Sequence, residues 1–181
     1  MPRYVAFLRA INVGGRIVKM EVLREVFSGL GFANVETFIA SGNVIFETRA
    51  KDLALVEGKI EKALEARLGY EVATFIRSLE EVARIAGYQA FSRAAAAAAV
   101  SVNVGMLKAP LPAAPGAAVL KLKTDIDDFH SQGSELYWLC VKGQGQSKIS
   151  NAVLERTLKA QATFRGMRTM AKLSAKYPPT S

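Results

Sequence analysis

Two short glycine-containing segments, each placed ahead of a helical run, carry the residues of this chain best suited to ligand chemistry. Asn12-Val13-Gly14-Gly15-Arg16 follows a strand-like run, with Arg9 before it and Lys19 after it. Glycine has no side chain, so backbone N–H groups there approach a phosphate closely, and the flanking cations supply charge. The same residues also suit a plain tight turn that needs positive φ. Neither the G-x-x-x-x-G-K-[ST] nor the G-x-G-x-x-G spacing is present, and the glycines lie several residues ahead of a helix expected from Met20. The second segment is Lys142-Gly143-Gln144-Gly145-Gln146-Ser147-Lys148, with its serine and lysine in the reverse of the phosphate-loop order. Ser147 or Ser150 is placed to cap the helix that follows, and a solvated hairpin-to-helix connection is the alternative. Near the C-terminus Arg165, Arg168, Lys172 and Lys176 fall at i, i+3, i+7 and i+11, one helix face. Such a stripe meets successive phosphates or is simply solvated.

Catalytic chemistry finds little footing, and no catalytic residue is assigned. His130 is the only histidine, and a pairing with Asp125, Asp127 or Asp128 is conceivable. No serine or cysteine sits in a nucleophile-elbow context. One histidine and one cysteine leave too few soft ligands for structural zinc, so no metal or cofactor is expected. Cys140 alternates with Trp138 and Leu136 and reads as a buried, inert thiol. Phe129, Tyr137 and Trp138 read as core aromatics. The Asn43–Thr48 strand lacks the Arg/Lys-Gly-Phe/Tyr pattern of an RNA-recognition sheet.

The elements that must position these residues follow from periodicity. Tyr4–Ile11 alternates as a strand. Met20, Leu23, Val26, Phe27 and Leu30 mark a helix closed by Gly31. Val35–Ala40 and Val44–Thr48 bracket Ser41-Gly42-Asn43 as a hairpin. Leu53, Val56, Ile60, Leu64 and Leu68 mark a second helix ended by Gly69, and Val72–Arg77 is a further strand. Ser78 and Glu81 form a capping-box pair that opens a helix ending at Gly87. Gln89–Ala99 is a weak, alanine-rich stretch. Beyond it come a strand at Val100–Met106, prolines 110, 112 and 115, and Ala117–Lys123, helix or strand by periodicity and helix by symmetry. A hairpin about Gln132-Gly133-Ser134, a helix at Ile149–Leu158, a strand at Ala162–Phe164 and a helix at Met167–Lys176 complete it. The expectation is α+β: two tandem β-α-β-β-α-β, ferredoxin-like halves with antiparallel sheets, repeating order without repeating sequence. The halves span 1–90 and 100–177, joined by a linker at 91–99 and followed by a tail at 178–181.

The 181 residues carry a net charge of +8. Before Glu21 stand Arg3, Arg9, Arg16 and Lys19 with no acid, and from Val141 on eight cations face one acid, Glu155. Both ends are therefore basic around a mildly acidic middle, and one anion-attracting face results if the fold brings them together. No apolar run approaches the roughly 20 residues that span a bilayer. Met1-Pro2-Arg3-Tyr4 runs into the first strand without an apolar leader, and a lone cysteine excludes an internal disulfide; a cytoplasmic protein with no membrane partner is expected.

Phe7-Leu8-Arg9-Ala10-Ile11-Asn12-Val13-Gly14-Gly15 resembles a motif of a bacterial family known as domain of unknown function 1697, a strand ending in Leu-Arg-Gly-Ile-Asn-Val-Gly-Gly. Ile39-Ala40-Ser41-Gly42-Asn43-Val44-Ile45-Phe46 is similar to its second motif, and Ser147-Lys148 with Ala162-Thr163-Phe164-Arg165 through Lys172-Leu173 to its C-terminal one. Ala10 stands where glycine is common, and Gly166 where asparagine commonly follows the arginine. The resemblance implies a duplicated α+β fold and no established activity.

The leading expectation is a binding protein for an anionic, phosphate-bearing ligand, a nucleotide or nucleic acid. Arg9, Asn12, Gly14, Gly15, Arg16, Ser41, Gly42 and Asn43 would form one patch, and Ser147, Lys148, Arg165 and Arg168 another. The alternatives are a small enzyme with a polar cleft between the halves and a module that dimerises through a sheet face.

Overall fold

The computed structural model describes residues 1–180. Of the tail expected at 178–181, Ser181 lies outside them. Contacts divide the chain into two compact units, Met1–Arg84 together with the chain from Leu173 on, and Ile85–Lys172. Each holds a four-stranded antiparallel sheet, and the chain is α+β as expected.

The first unit runs β1 (Arg3–Leu8), α1 (Met20–Gly29), β2 (Ala33–Thr37), β3 (Asn43–Glu47), α2 (Leu53–Leu68), β4 (Thr74–Ser78) and the start of α3 (Leu79–Gly87). Its strand order is β2-β3-β1-β4, the split-βαβ arrangement. Strand residues alternate between faces, so Ala6, Leu8, Val44, Phe46 and Ile76 meet Leu23 and Phe27 of α1 and Val56, Ile60 and Leu64 of α2. Val5, Phe7, Ile45 and Phe75, on the other face, are buried as well, which is why β1 reads as a continuous apolar run. Asp52 caps α2 by accepting from the Leu55 N–H (3.1 Å), and Gly69 ends it at φ 83°. The expected capping box opens α3: the Ser78 N–H donates to Glu81 (2.8 Å) and the Glu81 N–H to Ser78 Oγ (3.1 Å). Two strand ends fall short of the sequence reading: β1 stops at Leu8, not Ile11, and β2 at Thr37, not Ala40, because Ala10 (φ 59°) and Ile39 (φ 51°) lie where a strand cannot continue.

The C-terminal residues complete this unit. The Tyr177 hydroxyl donates to Glu36 Oε2 (2.7 Å), and Arg3 donates to Glu36 Oε1 (2.7 Å) with its guanidinium 5.0 Å from the Tyr177 ring centroid. The Tyr177 hydrogen bond, with Arg3 beside it, holds the Glu36 carboxyl below its ordinary range. Burial and the Glu36 bond push the Tyr177 phenol up to about 12.

The second unit runs α4 (Arg93–Ala98), β5 (Ser101–Met106), α5 (Ala113–Leu120), β6 (Asp127–Gln132), β7 (Glu135–Cys140), α6 (Asn151–Leu158) and β8 (Thr163–Gly166), and α7 (Met167–Lys176) begins in it. Its order, β6-β7-β5-β8, repeats that of the first unit. Phe129, Leu136, Trp138 and Cys140 pack with Leu107, Val119, Leu154 and Leu158. The alanine-rich stretch holds α4, capped by Ser92. The ambiguous segment is helical but starts earlier, at Ala113. Pro115 does not interrupt it, because a first-turn residue has no use for its N–H.

Strand register aligns the units residue by residue. Val5 faces Arg77 across β1 and β4, and Val104 faces Arg165 across β5 and β8. In that alignment Arg77-Ser78-Leu79 matches Arg165-Gly166-Met167, and Val82-Ala83-Arg84-Ile85 matches Met170-Ala171-Lys172-Leu173. At this strand–helix corner two of the seven aligned residues are identical, Arg77 with Arg165 and Ala83 with Ala171.

Candidate functional site

In the first unit the β1–α1 and β2–β3 connections, which hold the first two sequence motifs, are built as one corner. The Leu8 N–H donates to the Gly42 carbonyl (2.8 Å). Asn12 Nδ2 donates to the Ala40 carbonyl (2.8 Å), and Asn12 Oδ1 accepts from the Val18 N–H (2.6 Å). Asn43, fully buried, donates to the Phe38 carbonyl (3.0 Å) and Ser41 Oγ (2.9 Å). Gly42 has no room for a side chain: a Cβ would stand 2.9 Å from Ile11 Cβ and 3.2 Å from Leu8 Cβ, at φ 77°. Thus Asn12, Ser41, Gly42 and Asn43 come together as expected in one patch, but Asn12 and Asn43 serve as struts.

Left-handed backbone concentrates here. Ala10 (φ 59°), Asn12 (56°) and Ile39 (51°) join Gly14 (62°), Gly15 (81°) and Gly42. Ala10 stands where the resembling family commonly has glycine, and its φ explains that preference. Strain of this kind persists where surrounding structure over-determines it, as at ligand sites. The outer surface belongs to the loop. Val13, Gly14, Gly15, Arg16, Ile17 and Lys19 are exposed, Ile17 by 88%. Among the described residues no carbonyl or side chain accepts from the Gly14 or Gly15 N–H. The Arg16 guanidinium lies 4.2 Å from the Tyr70 ring centroid, held over the aromatic face by a cation–π contact. Tyr70 was not singled out from sequence. Arg9, half-buried, donates its N–H to the Ala73 carbonyl (2.9 Å).

The second patch is not one surface of free cations. Ser147 is a latch: its hydroxyl contacts both oxygens of the buried Asp127 carboxylate (2.8 and 2.9 Å) and accepts from the Ile149 N–H (2.9 Å). Asp127 also accepts from Trp138 Nε1 (2.9 Å) and Thr124 Oγ1 (2.7 Å). The helix cap falls to Ser150, which accepts from the Val153 N–H (3.2 Å). Lys148 is exposed. Arg165 is not on the helical stripe. It lies in β8, 9% exposed, and donates to Thr163 Oγ1 (2.8 Å) and the Phe164 carbonyl (2.9 Å). Burial lowers its guanidinium pKa to about 10. Arg168, Lys172 and Lys176 are exposed on α7. Arg168 borders a cavity of about 270 Å³ with Ser101 and Gly166.

Among the described residues His130 pairs with no carboxylate; its Nε2 meets the Tyr88 hydroxyl at 2.7 Å. Cys140 is buried, and burial pushes its thiol up, away from the reactive thiolate. A signal for Asp127 was present: the strand period puts it on the inward face with Phe129, and a buried Trp138 indole needs an acceptor.

A family model described as "Protein of unknown function (DUF1697)" matches residues 1–137. The solved structure of the conserved bacterial protein SP0830 from Streptococcus pneumoniae is similar in fold, with a TM-score of 0.74 at 22% identity over 99% of each chain. No curated protein matches the chain.

Proposed function

The chain belongs to the DUF1697 family of proteins of unknown function, and we propose that within it this protein binds an anionic, phosphate-bearing ligand, a nucleotide or a nucleic acid, at the β1–α1 corner. One observation carries the reading: the exposed Gly14 and Gly15 amides have no acceptor in the chain and stand next to Arg16, which Tyr70 holds in place. Unengaged amides without side-chain cover, beside a pre-positioned guanidinium, are what a phosphate needs for charge-assisted hydrogen bonds. Arg9 and Lys19 add to the local potential. On the second unit Lys148 and Arg168 are exposed cations; buried Arg165 is not among them. A cytoplasmic location goes with this reading, since a single buried thiol asks for no oxidising compartment.

The test is an amide-resolved NMR titration with inorganic triphosphate and with a short oligothymidylate. The Gly14 and Gly15 amides shift saturably, Arg16→Gln weakens binding several-fold, and the oligonucleotide affinity falls steeply as salt rises through counterion release. Unmoved glycine amides at low salt refute the proposal.

A further inference from the structure

The corner that carries this loop in the first unit has a counterpart in the second, built differently. Strand register makes Leu107 and Lys108 the equivalents of Leu8 and Arg9. The α2 cap Gly69 and the α6 cap Lys159 are both left-handed, so Ala160 follows its helix where Tyr70 follows α2. The long glycine loop at 9–19 is replaced by a short one at 107–112, and the tyrosine by a methyl group. The result is a hollow of about 480 Å³, with apolar walls that include Leu107, Pro110, Leu111 and Leu158, and with Lys108 and Lys159 on its lining. That volume lies within the roughly 300–1,000 Å³ of small-molecule sites, which are mostly apolar with a few placed polar groups.

Lys159 is the second observation. It holds φ 54°, where the first unit uses glycine at 83°. An L-residue there is strained relative to glycine, and strain kept beside a cavity points to a use for the side chain. We infer that this hollow is a second ligand site, for a small organic anion with an aliphatic body. The body buries against Leu107, Leu111 and Leu158, and Lys159 meets the charged end. The opposite assignment, anion in the hollow and chain outside, would strand a charge among apolar walls.

Octanoate and the uncharged 1-octanol are the probes, titrated into the full chain and read by the amides of Leu111, Lys159 and Ala160. Octanoate shifts them saturably and binds more tightly than octanol. Ala160→Tyr, which copies the first unit's ring into the hollow, weakens octanoate at least tenfold. Lys159→Gly, which keeps the left-handed cap, weakens octanoate several-fold, leaves octanol unchanged and raises the melting temperature. No saturable shift, equal binding of octanol, or unaltered octanoate binding in either variant overturns the inference. Arg16→Gln leaves these titrations unchanged, so failure here and failure of the phosphate reading are separate results.

Discussion

Replacing Gly105 by alanine should damage the second unit, and replacing its neighbour as well should repair it. Gly105 faces Phe164 across β5 and β8, and a Cβ built on Gly105 would lie 2.5 Å from Phe164 Cε1 and 2.8 Å from Cζ. The equivalent pair in the first unit is Ala6 opposite Ile76. The two sheets thus divide similar space differently, Gly with Phe in one and Ala with Ile in the other. Gly105→Ala forces the ring out of its place, an overpacking that costs about 1–3 kcal/mol. About 0.5–1 kcal/mol is returned, because glycine is entropically unfavourable inside a strand. A contact as close as 2.5 Å belongs to the upper part of that cost, so the net loss is about 1–2.5 kcal/mol, or roughly 2–10 °C at about 2–4 °C per kcal/mol for a chain of this size. Phe164→Ile alone leaves a void and destabilises by about 1–2 kcal/mol. The double variant recreates the Ala–Ile pair, so the two losses do not add. Trp138, the only tryptophan, meets Phe164 edge-to-face with ring centroids 6.2 Å apart, and its fluorescence during urea unfolding reports this unit alone. A neutral Gly105→Ala, or single losses that sum in the double variant, would refute the reasoning.

Two further outcomes are expected. Gly42→Ala meets both a left-handed φ and the Ile11 and Leu8 side chains, whereas Gly14→Ala meets only the φ; by circular-dichroism melts the first should lose about 2–4 kcal/mol and the second about 1. Tyr177→Phe removes the hydroxyl bond to Glu36 and should cost about 1 kcal/mol near neutral pH, a value kept low because the carboxylate is half-exposed. The Glu36 pKa is depressed in the fold, so the difference from wild type is full above the ordinary glutamate range and fades as pH falls through the folded value. Melts from pH 7 to pH 3 that keep a constant gap would contradict this.

What the sequence disclosed and withheld has a physical pattern. Local chemistry was readable: Ser78 with Glu81, Gly69, Gly133 and the Val102–Met106 alternation each fix their own backbone. Contacts closed only by the fold were not. The left-handed Ile39 has no signature, because a β-branched residue is the last expected at positive φ, and so the second strand was read too long and its hairpin loop too short. Arg165 fits a helical stripe by spacing, yet the helix begins two residues later and the arginine ends in a strand. Tyr70 under Arg16, and Tyr177 on Glu36, join residues far apart in the chain, where periodicity says nothing. Of the candidate site, the loop pair was legible because glycines and asparagines advertise unusual backbone. The latch on Ser147 was not, because a serine beside a lysine reads as a ligand group until its buried carboxylate is found.

The C-terminal clasp on Glu36 also sets an order of assembly. Residues leave the ribosome from the N-terminus, yet β1 lies centrally and waits for both β3 and β4 before its two edges are paired. Even then the first unit lacks the segment from Leu173 on, which is translated only after all of Ile85–Lys172. The unit begun first is therefore finished last. A nascent chain stalled before Tyr177 holds a second unit whose residues are all made and a first whose β2 edge still has an unclasped glutamate, a state open to strand pairing with another chain.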